Sequence, residues 1–262
     1  MPGRSSRPPA HGTTPFGRPG FPRGRPGRAA EATNYPWRRS PPRRACPCEE
    51  ELISAPTPAG WAFAETFVEE DEVLARARAR ADELGCRGVR QGVGVALRLL
   101  AASSGARSVV EVGTGAGVSG LYLLRGMPPG GVLTTIDVEA ENQRAAREAF
   151  AEDGVRAGRT RLITGRALDV LPRLTDRAYD LVLLDAEPGE YDAYVDQALR
   201  LLRRGGVLAV TDALWRGKVA DPAQRDRATT TMRELVKRVR DDTRLVPALL
   251  PVGDGLLLAV LR

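Results

Sequence analysis

The residues that could bind a ligand and act on it are grouped between Glu111 and Asp212. Three glycines, Gly113, Gly115 and Gly117, follow an apolar run in the segment VVEVGTGAGVSG. Because glycine has no Cβ, a loop this rich in glycine lets a ligand approach its backbone closely. A strand, a glycine loop and a helix in succession are typical of sites for nucleotide-like ligands. The segment therefore predicts a ligand site at the carboxyl end of a strand.

The glycine spacing alone leaves two ligand classes open. Counting from Gly113 gives G-x-G-x-G, whereas counting from Gly115 gives GAGVSG, which matches the dinucleotide fingerprint. Glu111 counts against a dinucleotide, because its carboxylate lies two residues before the loop that would meet a pyrophosphate. Asp137 lies 20 residues after Gly117, where an acid can bind both ribose hydroxyls. S-adenosylmethionine suits all three features, since it has an amino acid, a ribose and an adenine but no phosphate.

The scarcity of histidine and cysteine limits the chemistry. The only histidine, His11, lies near the amino terminus, so the rest of the chain has no imidazole base or ligand. This excludes Ser-His-Asp and Cys-His catalysis within the chain, and most zinc enzymes. The three cysteines, Cys46, Cys48 and Cys86, form no disulfide framework. We therefore expect a reduced, cytoplasmic setting.

The amino-terminal residues differ in composition from the rest of the chain. Residues 1–48 hold ten arginines against one acid, Glu31, and eleven of the twenty prolines. With so little to bury, residues 1–50 are predicted to be a disordered Arg/Pro-rich tail. No folded nucleic-acid motif accompanies the arginines, so the sequence does not favour a nucleic-acid partner. No apolar run approaches the ~18 residues that a membrane span needs, and no membrane partner is expected.

Alternating strands and helices place the ligand site. Strands are predicted at 108–112, 132–136, 160–164, 179–184, 207–210, 244–250 and 256–261. Helices are predicted at 65–84, 93–102, 118–124, 139–150, 167–174, 191–203 and 228–240. This alternation is typical of an α/β fold with a mostly parallel sheet, and the PVGDG turn predicts a final antiparallel hairpin. A helical segment at 51–105 would precede a ligand-binding core at 106–262.

A series of longer motifs carries a family resemblance. The motifs are EVGTGAGVSGLYLL, TTIDVEAENQRAAREAF, GRALDVLPRL, YDLVLLDAEPGEYDAYVDQALRLLRRGGVLAV and PVGDGLLLAVLR. In these motifs, from about residue 65 to the end, the chain resembles the S-adenosylmethionine-dependent O-methyltransferases of the catechol and caffeoyl-CoA type, especially their small bacterial, mycobacterial-like branch. The resemblance implies a Rossmann-like fold with a seven-stranded, mostly parallel sheet, an antiparallel last strand and preceding amino-terminal helices. It also implies methyl transfer to a hydroxyl of a small, phenolic acceptor and, by analogy, a homodimer.

The resemblance implies a set of cofactor contacts. Glu111 would line the methionine side, Ser119 would hold the methionine carboxylate and Asp137 the ribose. Ala167 would line the adenine pocket, and Val89 would contribute from the preceding helical region. The complete implied set is Val89, Glu111, Gly113, Thr114, Gly115, Gly117, Ser119, Asp137, Ala167 and Asp185. We expect the stretch before residue 109 and the segment 215–225 to wall the acceptor pocket.

The sequence departs from the family at the methyl-transfer site. The family holds a divalent cation with an aspartate after the fourth strand and an Asp-Asn pair after the fifth, and a lysine lies nearby. Asp185 matches the first ligand, but Thr211 and Asp212 stand in place of the pair, and Pro188 in place of the lysine. Threonine is a poor ligand for a hard cation such as Mg²⁺. Asp185 and Asp212 are the candidate ligands if a metal site survives; otherwise Asp185 would act directly as a base or orient the acceptor.

Three other functions stay open at this point. An NAD(P)-dependent oxidoreductase would use the GAGVSG register, although Glu111 and the lack of a Tyr-x-x-x-Lys pair count against it. A non-catalytic cofactor-binding protein of the same fold would account for Thr211 and Pro188. An RNA methyltransferase would use the arginines of residues 1–48 to bind RNA.

Overall fold

A seven-stranded sheet organises residues 57–262, the part of the chain that the computed structural model describes. The strands are β1 Ser108–Val112, β2 Val132–Asp137, β3 Thr160–Thr164, β4 Tyr179–Leu184, β5 Leu202–Val210, β6 Leu245–Leu250 and β7 Leu256–Leu261. The helices are α1 Pro58–Glu65, α2 Glu72–Glu83, α3 Gln91–Ser104, α4 Val118–Gly126, α5 Ala140–Glu152, α6 Ala167–Val170, α7 Tyr191–Leu201 and α8 Arg227–Asp241. The predicted tail at 1–50 lies outside the described residues, and the division at residues 50 and 105 stays a prediction.

The order of the strands is β3-β2-β1-β4-β5-β7-β6. Strands β1 to β5 are parallel to one another, whereas β7 is antiparallel to both β5 and β6. The predicted fold class, a mostly parallel sheet with an antiparallel last strand, is confirmed.

Both faces of the sheet are covered by helices. Along β1, Val109 packs into a core with side chains from α2 to α5, and Val110 packs into a second core with α6 to α8. Leu181 and Val182 of β4 divide between the two cores in the same way, and all six residues of β4 are buried. Central parallel strands are apolar on both faces for this reason.

The single helix predicted over 65–84 is wrong at its start, because α1 ends at Glu65 and α2 begins only at Glu72. Helix α1 begins after Thr57, and α2 begins after Asp71, whose carboxylate accepts a hydrogen bond from the Leu74 amide at 3.1 Å. An acid at this cap position starts a new helix. Glu65, at the end of α1, instead accepts hydrogen bonds from the amides of Gly92 and Gly253. Glu65 thus links the end of α1 to α3 and to the β6–β7 hairpin.

Strand β5 begins at Leu202, five residues before the predicted start at 207. Leu202 pairs with Tyr179, and the register shifts before the next pair, Leu181 with Val207. The extra residues include Gly205 with φ +79°, a backbone conformation that glycine adopts readily. Hydrophobic alternation alone does not reveal such an irregular extension.

The parallel strands bring the predicted site residues to one edge of the sheet. Gly113, Asp185 and Thr211 follow the carboxyl ends of β1, β4 and β5, and Asp137 is the last residue of β2. Strand β1 lies between β2 and β4, so the connections from these strands diverge at this point and leave a crevice. Ligands of open α/β sheets bind in such a crevice. None of the helices within 57–262 is long and apolar enough to cross a membrane.

Candidate functional site

A cavity of about 1090 Å³ lies at the carboxyl edge of the sheet. The loops after β1, β2, β4 and β5 line it together with the segment before α3. Of the residues predicted to form the site, the lining includes Val89, Gly113, Thr114, Gly115, Ser119, Asp137, Ala167, Asp185 and Asp212. Glu111 and Gly117 are not part of the lining. The structure therefore brings the predicted residues together at one site, with Glu111 and Gly117 behind the cavity surface.

Packing against the neighbouring strand and helix requires two of the loop glycines. Gly113 has φ +95°, and a Cβ there would lie 1.8 Å from the Asp185 carbonyl oxygen. Gly117 has φ +87°, and its Cβ would lie 3.0 Å from the Ala146 Cα in α5. Gly115 has φ +49° with its nearest neighbour at 3.7 Å, the Cys86 sulfur. Gly115 is thus the loop glycine with room beside it.

Asp137 braces the glycine loop. Its Oδ2 accepts hydrogen bonds from the amides of Thr114 and Gly115, both at 2.9 Å. Its Oδ1 accepts from the Glu139 amide at 2.9 Å, and the Asn142 side chain lies 3.3 Å from both oxygens. The loop amides that could bind a phosphate therefore already donate to a carboxylate.

Glu111 is fully buried behind Ser119. The Ser119 hydroxyl donates to Glu111 Oε1 at 2.6 Å, and Glu111 Oε2 has no hydrogen-bond partner among residues 57–262. Burial away from water raises the pKa of Glu111 to about 8, because desolvation disfavours the charged carboxylate. Ser119 reaches the cavity surface, so it links this carboxyl group to the site.

A buried polar network behind the loop has no clear signal in the sequence. The hydroxyls of Thr114 and Thr135 lie 2.6 Å apart, and the Gln143 amide donates to Thr114 at 2.9 Å and to the Ile163 carbonyl at 3.1 Å. Gln143, on α5, is buried. The network ties β1, β2, β3 and α5 together beneath the cavity and fixes the position of the loop.

Val89 and Ala167, two predicted cofactor contacts, are apolar residues of the cavity lining. Val89 precedes α3 and Ala167 begins α6, and both side chains are buried. Small or branched apolar side chains can pack against the face of a flat ring and still leave room for the ring in the cavity. Both residues lie at the cavity surface, where the resemblance places cofactor contacts.

Asp185 and Thr211, two residues of the predicted methyl-transfer site, are linked by a hydrogen bond. The Thr211 hydroxyl donates a short hydrogen bond to Asp185 Oδ1. Burial raises the pKa of Asp185 to about 7, against the opposing effect of the Thr211 hydrogen bond. Burial also raises the pKa of Asp212, and the nearby Asp254 carboxylate adds to that rise.

These donors do not fit a magnesium site. Mg²⁺ demands near-octahedral oxygen coordination, usually with carboxylates. Thr211 already donates its hydroxyl proton to Asp185, and within 57–262 no three His, Cys, Asp or Glu side chains are grouped to hold a metal. Pro188, at the family's lysine position, begins a short 3₁₀ helix and supplies no base. Any proton transfer at this site therefore depends on the protein side chains.

Comparison with known proteins identifies the family. The family model described as O-methyltransferase matches residues 65–262, which is more than half of the chain. The chain belongs to the O-methyltransferase family. A protein named as an O-methyltransferase in Mycobacterium tuberculosis H37Rv is 50% identical to this family member over 218 residues, 82% of this chain and 97% of the relative. A Mycobacterium leprae relative is 52% identical over 200 residues, 76% of this chain and 89% of its own.

Solved structures agree with this family. A Corynebacterium glutamicum protein is 37% identical with a TM-score of 0.71, over 76% of this O-methyltransferase and 94% of its own chain. The O-methyltransferase TomG of Streptomyces achromogenes, from tomaymycin synthesis, was solved in complex with S-adenosylmethionine. TomG is 32% identical with a TM-score of 0.69, over 76% of this chain and 94% of its own.

Proposed function

We propose that this O-methyltransferase binds S-adenosylmethionine in the cavity and methylates a hydroxyl of a small, phenolic acceptor. The observation that carries the proposal is the loop between two carboxyl groups, Glu111 behind Ser119 and Asp137 against the loop amides. The complex of TomG with S-adenosylmethionine supports this cofactor. The cavity, about 1090 Å³, has room for both a cofactor and a small acceptor.

The residues present fit S-adenosylmethionine. Ser119 would bind the amino acid end, and a nearby ammonium group would favour the charged form of Glu111, whose Oε2 has no hydrogen-bond partner within 57–262. Asp137 would accept from the ribose hydroxyls in place of its 3.3 Å contacts with Asn142. Val89 and Ala167 would pack against the adenine.

The same contacts argue against the dinucleotide register. A dinucleotide site uses free loop amides and the start of a helix to bind a pyrophosphate. Here the Thr114 and Gly115 amides donate to Asp137, and the Gly117 amide donates to the Thr114 carbonyl at 3.0 Å. A phosphate in this loop would have to displace a carboxylate and lie close to another. The oxidoreductase alternative is therefore not favoured.

Asp185 is the side chain that we assign to the proton. When bound, S-adenosylmethionine supplies an activated methyl group, which leaves its sulfur for the acceptor oxygen in an in-line displacement. Asp185 accepts the proton that the acceptor hydroxyl loses, and its pKa of about 7 is suited to a general base near neutral pH. Thr211 holds one oxygen of Asp185, which leaves the other to face the acceptor. Alignment by the cavity walls can contribute about 7–11 kcal/mol to such a step.

Calorimetry and a methyl-transfer assay test this function together. We expect S-adenosylhomocysteine to bind and NADH not to bind. With labelled cofactor, phenolic and catechol acceptors should be methylated at a rate that EDTA leaves unchanged, because the donors do not fit a magnesium site. A saturable magnesium requirement would refute the metal-free step. Cofactor affinity without transfer to any hydroxylated acceptor would support the non-catalytic alternative. The homodimer and the cytoplasmic setting stay predictions.

A further inference from the structure

Three arginines gather at one end of the cavity. Arg87, Arg90 and Arg216 are the only lysine or arginine residues in its lining within 57–262. All three positive charges lie close enough to the Asp212 carboxyl group to oppose the rise in its pKa. Arg87 and Arg90 flank Val89 in the segment before α3, and Arg216 lies in the loop after β5.

None of the three guanidinium groups is engaged by an acid of the described chain. No carboxylate oxygen within 57–262 lies within 4.0 Å of them. Arg166, beside another part of the cavity, differs in that it pairs with Glu190 at 2.6 Å. The three guanidinium groups at this end of the cavity have no carboxylate partners within 57–262. They can therefore donate hydrogen bonds to a ligand.

The arginines lie at the end of the cavity beside β5, away from Asp137, the predicted ribose contact. Asp137 ends β2 and Glu139 follows it, and β2 is separated from β5 by β1 and β4. Arg216 follows β5, and the Arg90 Cβ lies 3.5 Å from where a Cβ on Gly253 would be, in the turn between β6 and β7. The cations of the lining are thus confined to the end beside β5, whereas its acids lie at both ends, with Asp137 and Glu139 at β2 and Asp212 and Asp254 beside the cations.

The loop that carries Arg216 is held in an uncommon conformation. Asp212, Trp215 and Arg216 have φ values of +50°, +48° and +59°. They are three of the four non-glycine residues with positive φ within 57–262. Asp254 fixes the loop, because its carbonyl accepts from the Leu214 amide at 2.8 Å and its carboxylate from the Arg216 amide. Such backbone strain is maintained mainly at functional sites.

The acids in this region do not form ion pairs with the three arginine side chains. Asp212 and Asp254 also line this end of the cavity. The Asp254 carboxylate is engaged by the Arg216 backbone amide rather than by its side chain. With Asp185, three carboxyl groups lie near the three arginines, so this end offers unpaired guanidinium donors rather than a net positive charge. Trp215 lies beside them, partly buried against the second core.

We propose that the acceptor carries an oxyanion, a carboxylate or a phosphate, which Arg87, Arg90 and Arg216 bind while its hydroxyl faces Asp185. Guanidinium groups bind both oxyanions through paired hydrogen bonds, so the two sources share one recognition chemistry. Trp215 then provides an apolar surface for the body of the acceptor. This inference rests on the proposed function and adds the charge of the substrate to it.

Calorimetry of the protein saturated with S-adenosylhomocysteine tests the inference. The probes are 3,4-dihydroxybenzoate, 3,4-dihydroxybenzyl phosphate and neutral 3,4-dihydroxybenzamide. We expect one of the anions to bind at least about tenfold more tightly than the amide, and the tighter anion identifies the source. Arg216→Gln and Arg90→Gln should each remove most of this preference. Arg98→Gln, an exposed position of α3 outside the cavity lining, is the matched control and should keep it.

The outcomes separate the two proposals. Equal affinity for anions and amide, no binding of either anion, or a preference that survives Arg87→Gln, Arg90→Gln and Arg216→Gln combined would overturn the inference. Affinity for S-adenosylhomocysteine is measured for every variant. If the unmodified protein does not bind S-adenosylhomocysteine, the proposed function is wrong. If it binds S-adenosylhomocysteine but shows no preference for the anions, only the inference about the acceptor's charge is wrong.

Discussion

At the scale of single residues, the site depends on carboxyl groups whose surroundings set their protonation. Glu111 and Asp185 both have raised pKa values because they are buried, and each accepts one hydroxyl hydrogen bond, from Ser119 and Thr211. Threonine at position 211 weakens a cation site, but it gives Asp185 a donor that supports the charged form. A change that is unfavourable for metal binding is therefore compatible with a carboxylate base.

The pH dependence of methyl transfer should reveal the role of Asp185. As a base, Asp185 must be ionised, so kcat/KM should rise with pH through about 7 and then level off. Thr211→Val removes a hydrogen bond to the charged form, which raises the Asp185 pKa and moves the midpoint to higher pH. Asp185→Asn should lower kcat by about a hundredfold or more, with cofactor affinity nearly unchanged. A midpoint that Thr211→Val leaves in place would contradict this role.

At the scale of elements, the strand ends could be predicted from the sequence, but their packing could not. Runs such as LVLLD have the composition of buried parallel strands, and the residues after them gather at one edge because parallel strands share a direction. The network of Thr135 and Gln143 gives no sequence signal, since its members lie on different elements. The arginine cluster is hidden for the same reason: Arg87 and Arg216 are far apart in the chain and meet only across the cavity.

The glycine loop shows which glycines the elements require. Gly113→Ala would place a Cβ 1.8 Å from the Asp185 carbonyl at φ +95°, so β1 and β4 would have to move apart. We expect a loss of more than about 3 kcal/mol in the free energy of unfolding. Gly115→Ala is the matched control, since the nearest neighbour of its Cβ, the Cys86 sulfur, would lie 3.7 Å away. It should cost only about 1–2 kcal/mol, from its positive φ. Urea unfolding of both variants measures the difference, and equal losses would contradict the packing argument.

At the scale of the whole molecule, the buried Glu111 links stability to ligand binding. The folded protein holds the Glu111 proton up to about pH 8, whereas an unfolded chain releases it near pH 4.5. Between these values the unfolded state binds fewer protons, so the free energy of unfolding falls as pH rises. Asp185 acts in the same direction up to about pH 7. The fold thus retains a buried acid at a cost in stability at neutral and alkaline pH, which a cationic ligand would offset.

Replacing Glu111 should separate stability from binding. Glu111→Gln keeps an acceptor for Ser119 and cannot ionise, so the ligand-free variant should lose less stability than the parent between about pH 5 and 8. The same variant should bind S-adenosylhomocysteine about tenfold or more weakly at pH near 8, because the charge that attracts the ammonium group is gone. Glu83→Gln, at an exposed position at the end of α2, should change neither quantity. Urea unfolding at both pH values and calorimetry provide the comparison. If Glu111→Gln is less stable than the parent at the higher pH, or binds as tightly, then Glu111 is not a buried acid retained for an ammonium group.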